Sequence, residues 1–248
     1  MLDPAYIPLI AAACALLAGG LVKGVIGIGT PLVVLPVLVV FYDVREAVQL
    51  LALPLFLSNV LQAWQGHGTR EVVGRVAPVV AGLIAGILIG VSLAGTLPDA
   101  TLLVVAGVFV CLASVATAMA PNFEIPRPAE RWLGPLTGLS GGVLGGLTTL
   151  FGPALALYLT GLRLTPAVFV KAVSVLYTAG SATLFLAVLG LQNPAGATML
   201  LSLACVPPLF AGMAIGQRVR GLLAPAVLRL IVLAVVFVGG TNMILRGL

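Results

Sequence analysis

Very little in this sequence can carry charge. Only 8% of its 248 residues are Asp, Glu, Lys or Arg, where a soluble domain carries about 25%. That is too little charge to coat a globule in water, so the apolar surplus must face lipid. Histidine occurs once, at His67, with no ligand neighbours in sequence. The three cysteines, Cys14, Cys111 and Cys205, each stand alone inside apolar runs and form no Cys-x-x-Cys pair. A metal site or redox dithiol is therefore not expected, and isolated apolar cysteines read as small hydrophobes. No cofactor is called for. The acidic residues Asp43, Glu46, Asp99, Glu124 and Glu130 all fall at predicted helix ends or in loops. Mid-span there is thus no carboxylate to relay protons or bind a cation. Alternating apolar and polar decads, the mark of a membrane β-barrel, are also missing. The excess of basic residues (net charge +5) is scattered singly through short loops, as membrane topology requires, so it does not predict nucleic-acid binding. The N-terminal apolar run begins with Asp3 and no Lys or Arg, so it reads as mature protein and not as a cleaved signal.

What is present is apolar sequence in long pieces. The chain is 61% hydrophobic with a mean hydropathy of +1.24. No charge interrupts 4–22, 24–42, 76–98, 132–162 or 172–217, and a spanning helix needs roughly 20 such residues. Lipid forces every backbone group to bond internally. The expected class is an all-α integral membrane protein, multi-pass, with the lipid bilayer as its surroundings.

The chain repeats itself. Residues 20–27 read GLVKGVIG and residues 138–145 read GLSGGVLG. Residues 78–86 read PVVAGLIAG and 208–216 read PLFAGMAIG, both P-x-x-A-G-x-x-x-G, and Gly95 and Gly221 continue the series. Matches in the same order argue for duplication. The halves are 1–120 and 132–248, joined by a polar, proline-rich cytoplasmic linker at 121–131. Each half opens with a Gly/Pro-interrupted stretch, 6–42 or 132–162. Three ordinary spans follow, near 47–65, 76–96 and 101–119, then near 167–190, 196–217 and 225–245. Arg70, Arg75, Arg127, Arg131, Arg163, Arg218 and Arg220 fall on one side of the membrane only if each interrupted stretch enters and returns as a hairpin. The second half is then inverted relative to the first, a recurrent transporter plan with its site at the repeat interface. A parallel repeat with four crossings per half is the alternative.

The hairpin tips are where chemistry is expected. Gly27, Gly29, Thr30 and Pro31 form one tip, and Gly145, Gly146, Thr148, Thr149, Gly152 and Pro153 the other. Proline favours the first turn of a helix, so Gly-Thr-Pro at 29–31 and Gly-Pro at 152–153 predict new half-helices starting at membrane depth. Helix N-termini present unpaired N–H groups and partial positive charge, and two facing each other would hold a small anion, helped by the Thr hydroxyls. Lys23 and Lys171 are the two cations within apolar sequence, and charge at depth is costly and usually functional. Ser58, Asn59 and Gln62, with Ser174, Tyr177 and Thr178, lie at helical spacing as pathway-lining candidates, or as interhelical hydrogen bonds. The glycines of 82–86 and 212–216 read as helix packing.

GLVKGVIGIGTPLVVLP (20–36) and GLSGGVLGGLTTLFGPALALYL (138–159) resemble the paired signature stretches of the TauE/SafE family of sulfite exporters. The resemblance spans nearly the whole chain. It implies an inner-membrane permease for sulfite, organosulfonates or related sulfur anions. Gly-Thr-Pro at 29–31 departs from the Gly-rich run common there, and Lys23 stands where a neutral residue is usual, which puts the preferred anion in doubt. Uptake or channelling of another small solute is the competing transport reading. An intramembrane enzyme would need a base, nucleophile or metal set that the sequence lacks. A purely structural partner would not need broken helices. A homodimer is left open.

Overall fold

The computed structural model describes residues 6–65, 70–119, 124–220 and 225–248. His67 and Gly221 lie outside the described residues. Every regular element described is a helix: α1 (Ile7–Ile26), α2 (Thr30–Leu38), α3 (Val44–Gln65), α4 (Arg70–Ala94), α5 (Asp99–Met119), α6 (Arg127–Thr148), α7 (Gly152–Gly161), α8 (Pro166–Ala187), α9 (Gly196–Ala204), α10 (Val206–Val219) and α11 (Pro225–Gly247), with a short π-helical stretch, Val188–Gln192, continuing α8. Five segments among the described residues are long and apolar enough to cross a membrane: Ile7–Ile26, Val44–Trp64, Val73–Ala94, Val168–Gln192 and Gly196–Val219.

Both interrupted stretches fold as a long helix followed by a half-helix. α1 has 20 residues and α2 has 9; α6 has 22 and α7 has 10. At 1.5 Å per residue the second member of each pair reaches only about 14–15 Å, half a bilayer core. Each half-helix doubles back along its partner. A Cβ on Gly19 of α1 would strike Val34 of α2, and one on Gly134 of α6 would approach the Tyr158 hydroxyl of α7. The half-helices begin at the expected prolines, Pro31 and Pro153. α6 starts earlier than the proline-rich stretch suggests, at Arg127, because Pro126 precedes the helix and Pro128 sits in its first turn, where the missing N–H costs nothing. The span near 196–217 is divided at Cys205, two residues before Pro207 and Pro208 in the first turn of α10.

The chain forms two compact units. One comprises Met1–Pro54, Pro98–Ala118 and Ala195–Leu248, the other Leu55–Leu97 and Met119–Pro194. Each unit takes the hairpin from one sequence half and the P-x-x-A-G helix from the other. In the first, α1 runs alongside α10: Gly20 and Gly24 lie against the backbone of Leu209 and Met213, and Gly212 and Gly216 against Leu17 and Leu21. In the second, α6 and α4 pack the same way. Gly138, Gly142 and Gly146 meet the carbonyls of Val79, Leu83 and Ile87, while Gly82, Gly86 and Gly90 meet those of Pro135, Leu139 and Val143. Small residues let backbones approach and gain dispersion and Cα–H···O contacts where lipid offers no hydrophobic drive.

This geometry explains the glycine doublets. In Gly19–Gly20, Gly141–Gly142 and Gly145–Gly146 the first member faces its own hairpin and the second faces the parallel helix. Gly19 meets α2, Gly141 meets Ala154, and Gly145 meets the Phe151 ring. One residue around a helix turns the side chain by about 100°, so a doublet clears two faces at one level.

Candidate functional site

The break in the first hairpin is made by two left-handed glycines, Gly27 (φ 92°) and Gly29 (φ 103°). Gly27 donates its N–H to the Lys23 carbonyl at 2.7 Å, closing α1. Lys23 lies in the last turn of α1, 4% exposed, at the end where the helix dipole favours a cation. Thr30 opens α2, and its buried hydroxyl donates to the Gly19 carbonyl at 3.4 Å. Two arginines from the second half bond the hairpin, Arg220 at the break and Arg246 at the far end of α2. Arg220 Nε donates to Val25 O at 2.7 Å, and Arg246 donates to Val39 O at 2.5 Å. Each satisfies a carbonyl that a helix end leaves unbonded. Arg220 reads from sequence as a topology-setting loop residue; its place beside the break was signalled only by its register in the repeat, where 90 + 130 = 220 pairs it with Gly90.

The second break is built differently. Its left-handed residue is Thr149 (φ 68°), a conformation that a β-branched side chain resists. Thr149 donates its N–H to Gly145 O at 2.7 Å. Thr148 donates its hydroxyl to Leu144 O at 2.7 Å and accepts from the Leu150 N–H at 3.3 Å. The Thr149 hydroxyl is buried and has no hydrogen-bond partner. α7 then begins with Gly152 and Pro153. Phe151 lies edge-on to Tyr177 of α8, with centroids 5.5 Å apart, and the Tyr177 hydroxyl lies where a Cβ on Gly152 would go. Gly145 and Gly146 are placed for close approach, to the Phe151 ring and to Ile87 O respectively; neither has positive φ.

Of the pathway candidates, the structure joins Asn59, Tyr177 and Thr178. Asn59 Nδ2 donates to Tyr177 O at 3.3 Å, and Thr178 donates back to Asn59 O at 3.2 Å. Ser58 and Ser174 bond carbonyls in their own helices, Leu55 O and Val170 O. An open cleft lined by Val60, Ala63, Trp64 and Thr178 runs past this pair. Gln62 is half-buried on the same helix, and Lys171 half-buried five residues into α8. Among the described residues no group of three His, Cys, Asp or Glu could hold a metal ion.

The family model for the TauE/SafE sulfite exporters matches residues 11–243. The chain belongs to the TauE/SafE family. Comparison with curated proteins and with solved structures gives no significant match. The match runs from α1 into α11 and takes in both hairpins. A TauE/SafE chain with five apolar spans among its described residues is a multi-pass membrane transport protein, a permease.

Proposed function

We propose that this protein exports a small sulfur-containing anion, sulfite or an organosulfonate, across a bacterial-type inner membrane by alternating access, the two halves acting as inverted repeats. The observation that carries this reading is the charge balance at depth. Lys23 is the buried basic side chain, and no Asp or Glu appears among the described buried residues. Each unit also holds a half-helix N-terminus, at Thr30 in the first and at Gly152 in the second, each preceded by an irregular break. Irregular backbone at membrane depth persists only where it lines protein or a wet cavity, and helix N-termini favour anions. An inside-negative potential favours anion export by about 2.3 kcal/mol per charge per 100 mV.

The test is thermal stabilisation of purified protein by sulfite, thiosulfate, sulfate, taurine, sulfoacetate and chloride, followed by flux from loaded proteoliposomes. Binding to the folded state raises apparent stability by mass action. A shift with a sulfur oxyanion or sulfonate, and outward flux of the same anion, is the expected outcome. Lys23→Gln should weaken that binding about tenfold, or about 1.4 kcal/mol. A flat response to every anion overturns the reading, and a conductance that follows voltage without saturation assigns a channel instead.

A further inference from the structure

We infer that the anion seat is one-sided: its hydroxyl donors come from the second break, through Thr149 and Tyr177, and not from the first. The inference rests on the anion reading above and names the residues that set its specificity. In the first break the polar groups answer one another. The Thr30 hydroxyl goes to Gly19 O, and the Val25 carbonyl is taken by Arg220. Its left-handed turns fall on Gly27 and Gly29, which adopt them without strain.

The second break is costly by comparison. A threonine holds positive φ; the residue is 1% exposed, and its buried hydroxyl has no partner. A buried unsatisfied hydroxyl and a strained β-branched residue each need an explanation, and here they coincide in Thr149, which caps α6 three residues before α7 begins. The N–H groups in the first turn of α7 have no partner within that helix. The Tyr177 hydroxyl stands against Gly152, the first residue of the same helix, where any side chain larger than hydrogen would displace it. Three kinds of donor therefore occur on the short break that joins α6 to α7 and on the tyrosine packed against it. A ligand held at this break would give the Thr149 hydroxyl the partner it lacks and relieve none of the strain, so the strain is the cost of keeping the hydroxyl in place.

The charge of the seat narrows its ligand. The residues of the break, 148–153, and those packed on it, Gly145, Tyr177 and Gly180, are all uncharged. Neutral donors here, with the single cation Lys23 of the export reading, suit a head group with a single negative charge, a sulfonate or hydrogen sulfite, over the sulfate dianion. In this conformation residues 146–151 are buried, so the seat is closed, and the Phe151–Tyr177 ring pair must move for an anion to enter.

Binding of sulfite, methanesulfonate and sulfate to the full chain in nanodiscs tests this. Thr149→Val keeps shape and strain but removes the hydroxyl. It should weaken methanesulfonate about tenfold, the scale of one hydrogen bond to a charged group, and at least fivefold more than Thr30→Val does. Tyr177→Phe should weaken it similarly, Thr149→Ser should retain it, and Thr160→Val on α7 should match wild type. Thr149→Gly should raise the melting temperature while losing affinity, an outcome that a purely structural role would not give. Equal affinity in wild type and Thr149→Val, with wild type binding the anion, overturns the one-sided seat and leaves the export reading standing. Sulfate bound as tightly as methanesulfonate overturns the single-charge assignment. Failure of wild type to bind any sulfur anion overturns both.

Discussion

Helices α6 and α4 and helices α1 and α10 are joined by the same device, glycine against carbonyl, yet the two seams end differently. The α4–α6 seam runs through Gly138, Gly142 and Gly146 on one side and Gly82, Gly86 and Gly90 on the other. The α1–α10 seam uses Gly20, Gly24, Gly212 and Gly216. In the register of the repeat the missing pair is known: 146 − 118 = 28 and 90 + 130 = 220, so Ile28 and Arg220 stand where the longer seam has its last two glycines. At that level α1 has already ended, at Ile26, and Arg220 bonds Val25 O. α6 continues for a further turn, to Thr148. One substitution pair therefore separates a break placed early and closed by a guanidinium from a break placed one turn later and closed by a strained threonine. Two copies of one motif can thus acquire different tips without disturbing the scaffold that carries them.

The largest effect should follow from blocking the longer seam. A valine at Gly142 would drive its Cβ into the Leu83 carbonyl and the Gly86 backbone. Backbone cannot step aside as a side chain can, so each such change costs about 1–3 kcal/mol or more. Gly86→Val combined with Gly142→Val should abolish the monodisperse detergent-solubilised species on gel filtration. Gly24→Val, near the open end of the shorter seam, should only lower the melting temperature. Equal damage from Gly24→Val and Gly142→Val would show that seam length does not matter.

Exchanging the end residues sharpens the comparison. Gly90→Arg places a Cβ against the Val143 carbonyl and should be nearly as harmful as Gly142→Val. The reverse change, Arg220→Gly, removes only the bond to Val25 O. An exposed cap of this kind is worth about 0.3–1 kcal/mol, so thermal melting should fall by a few degrees at most, with expression unchanged. A severe defect in Arg220→Gly would mean that the first break depends on the guanidinium and not on its glycines.

Much of this was legible before any coordinates. Charge-free runs marked the spans, and Pro31 and Pro153 marked the starts of the half-helices, because proline cannot continue a preceding helix but readily begins one. The glycines of 82–86 and 212–216 were read as helix packing and do pack helices, but their partners, the hairpin glycines Gly20, Gly24, Gly138, Gly142 and Gly146, were not read so. Three features were hidden for physical reasons. Arg220 reads as loop charge, since a sequence shows where a charge is but not which carbonyl its long side chain can reach. Thr149 takes a left-handed conformation that propensity assigns to the neighbouring glycines, so tertiary context decided it. The glycine doublets serve two partners at once, and half of that role depends on a helix from the other sequence half, far away in the chain. The pathway candidates divided as well. Asn59 and Thr178 bond across α3 and α8, whereas Ser58 and Ser174 turn back onto their own helices.

The smallest expected effect lies at the polar start of the α4–α6 seam, where the two seams differ again. Arg75 donates to both carboxylate oxygens of Glu130, at 2.9 and 2.6 Å. The corresponding positions in the other seam, 130 − 118 = 12 and 75 + 130 = 205, are Ala12 and Cys205, which cannot pair. The bidentate bonds from Arg75, assisted by the charges of Arg75 and Arg127, hold the Glu130 carboxyl below its ordinary value against a smaller opposing effect of burial. A carboxyl depressed in the folded state adds stability above its unfolded value, about 4.3, and loses it as pH falls through the folded one. Wild type should therefore melt above Glu130→Gln at pH 7, by at most about 1 kcal/mol for a pair at the surface, and the difference should begin to shrink below about pH 4.3 and vanish once pH falls through the lowered folded value. Salt should shrink the same gap, since exposed charges are screened beyond about 8 Å at physiological ionic strength. A gap that persisted at low pH would mean that Glu130 acts through packing in the first turn of α6, and the distinction between the two seams would then rest on glycine alone.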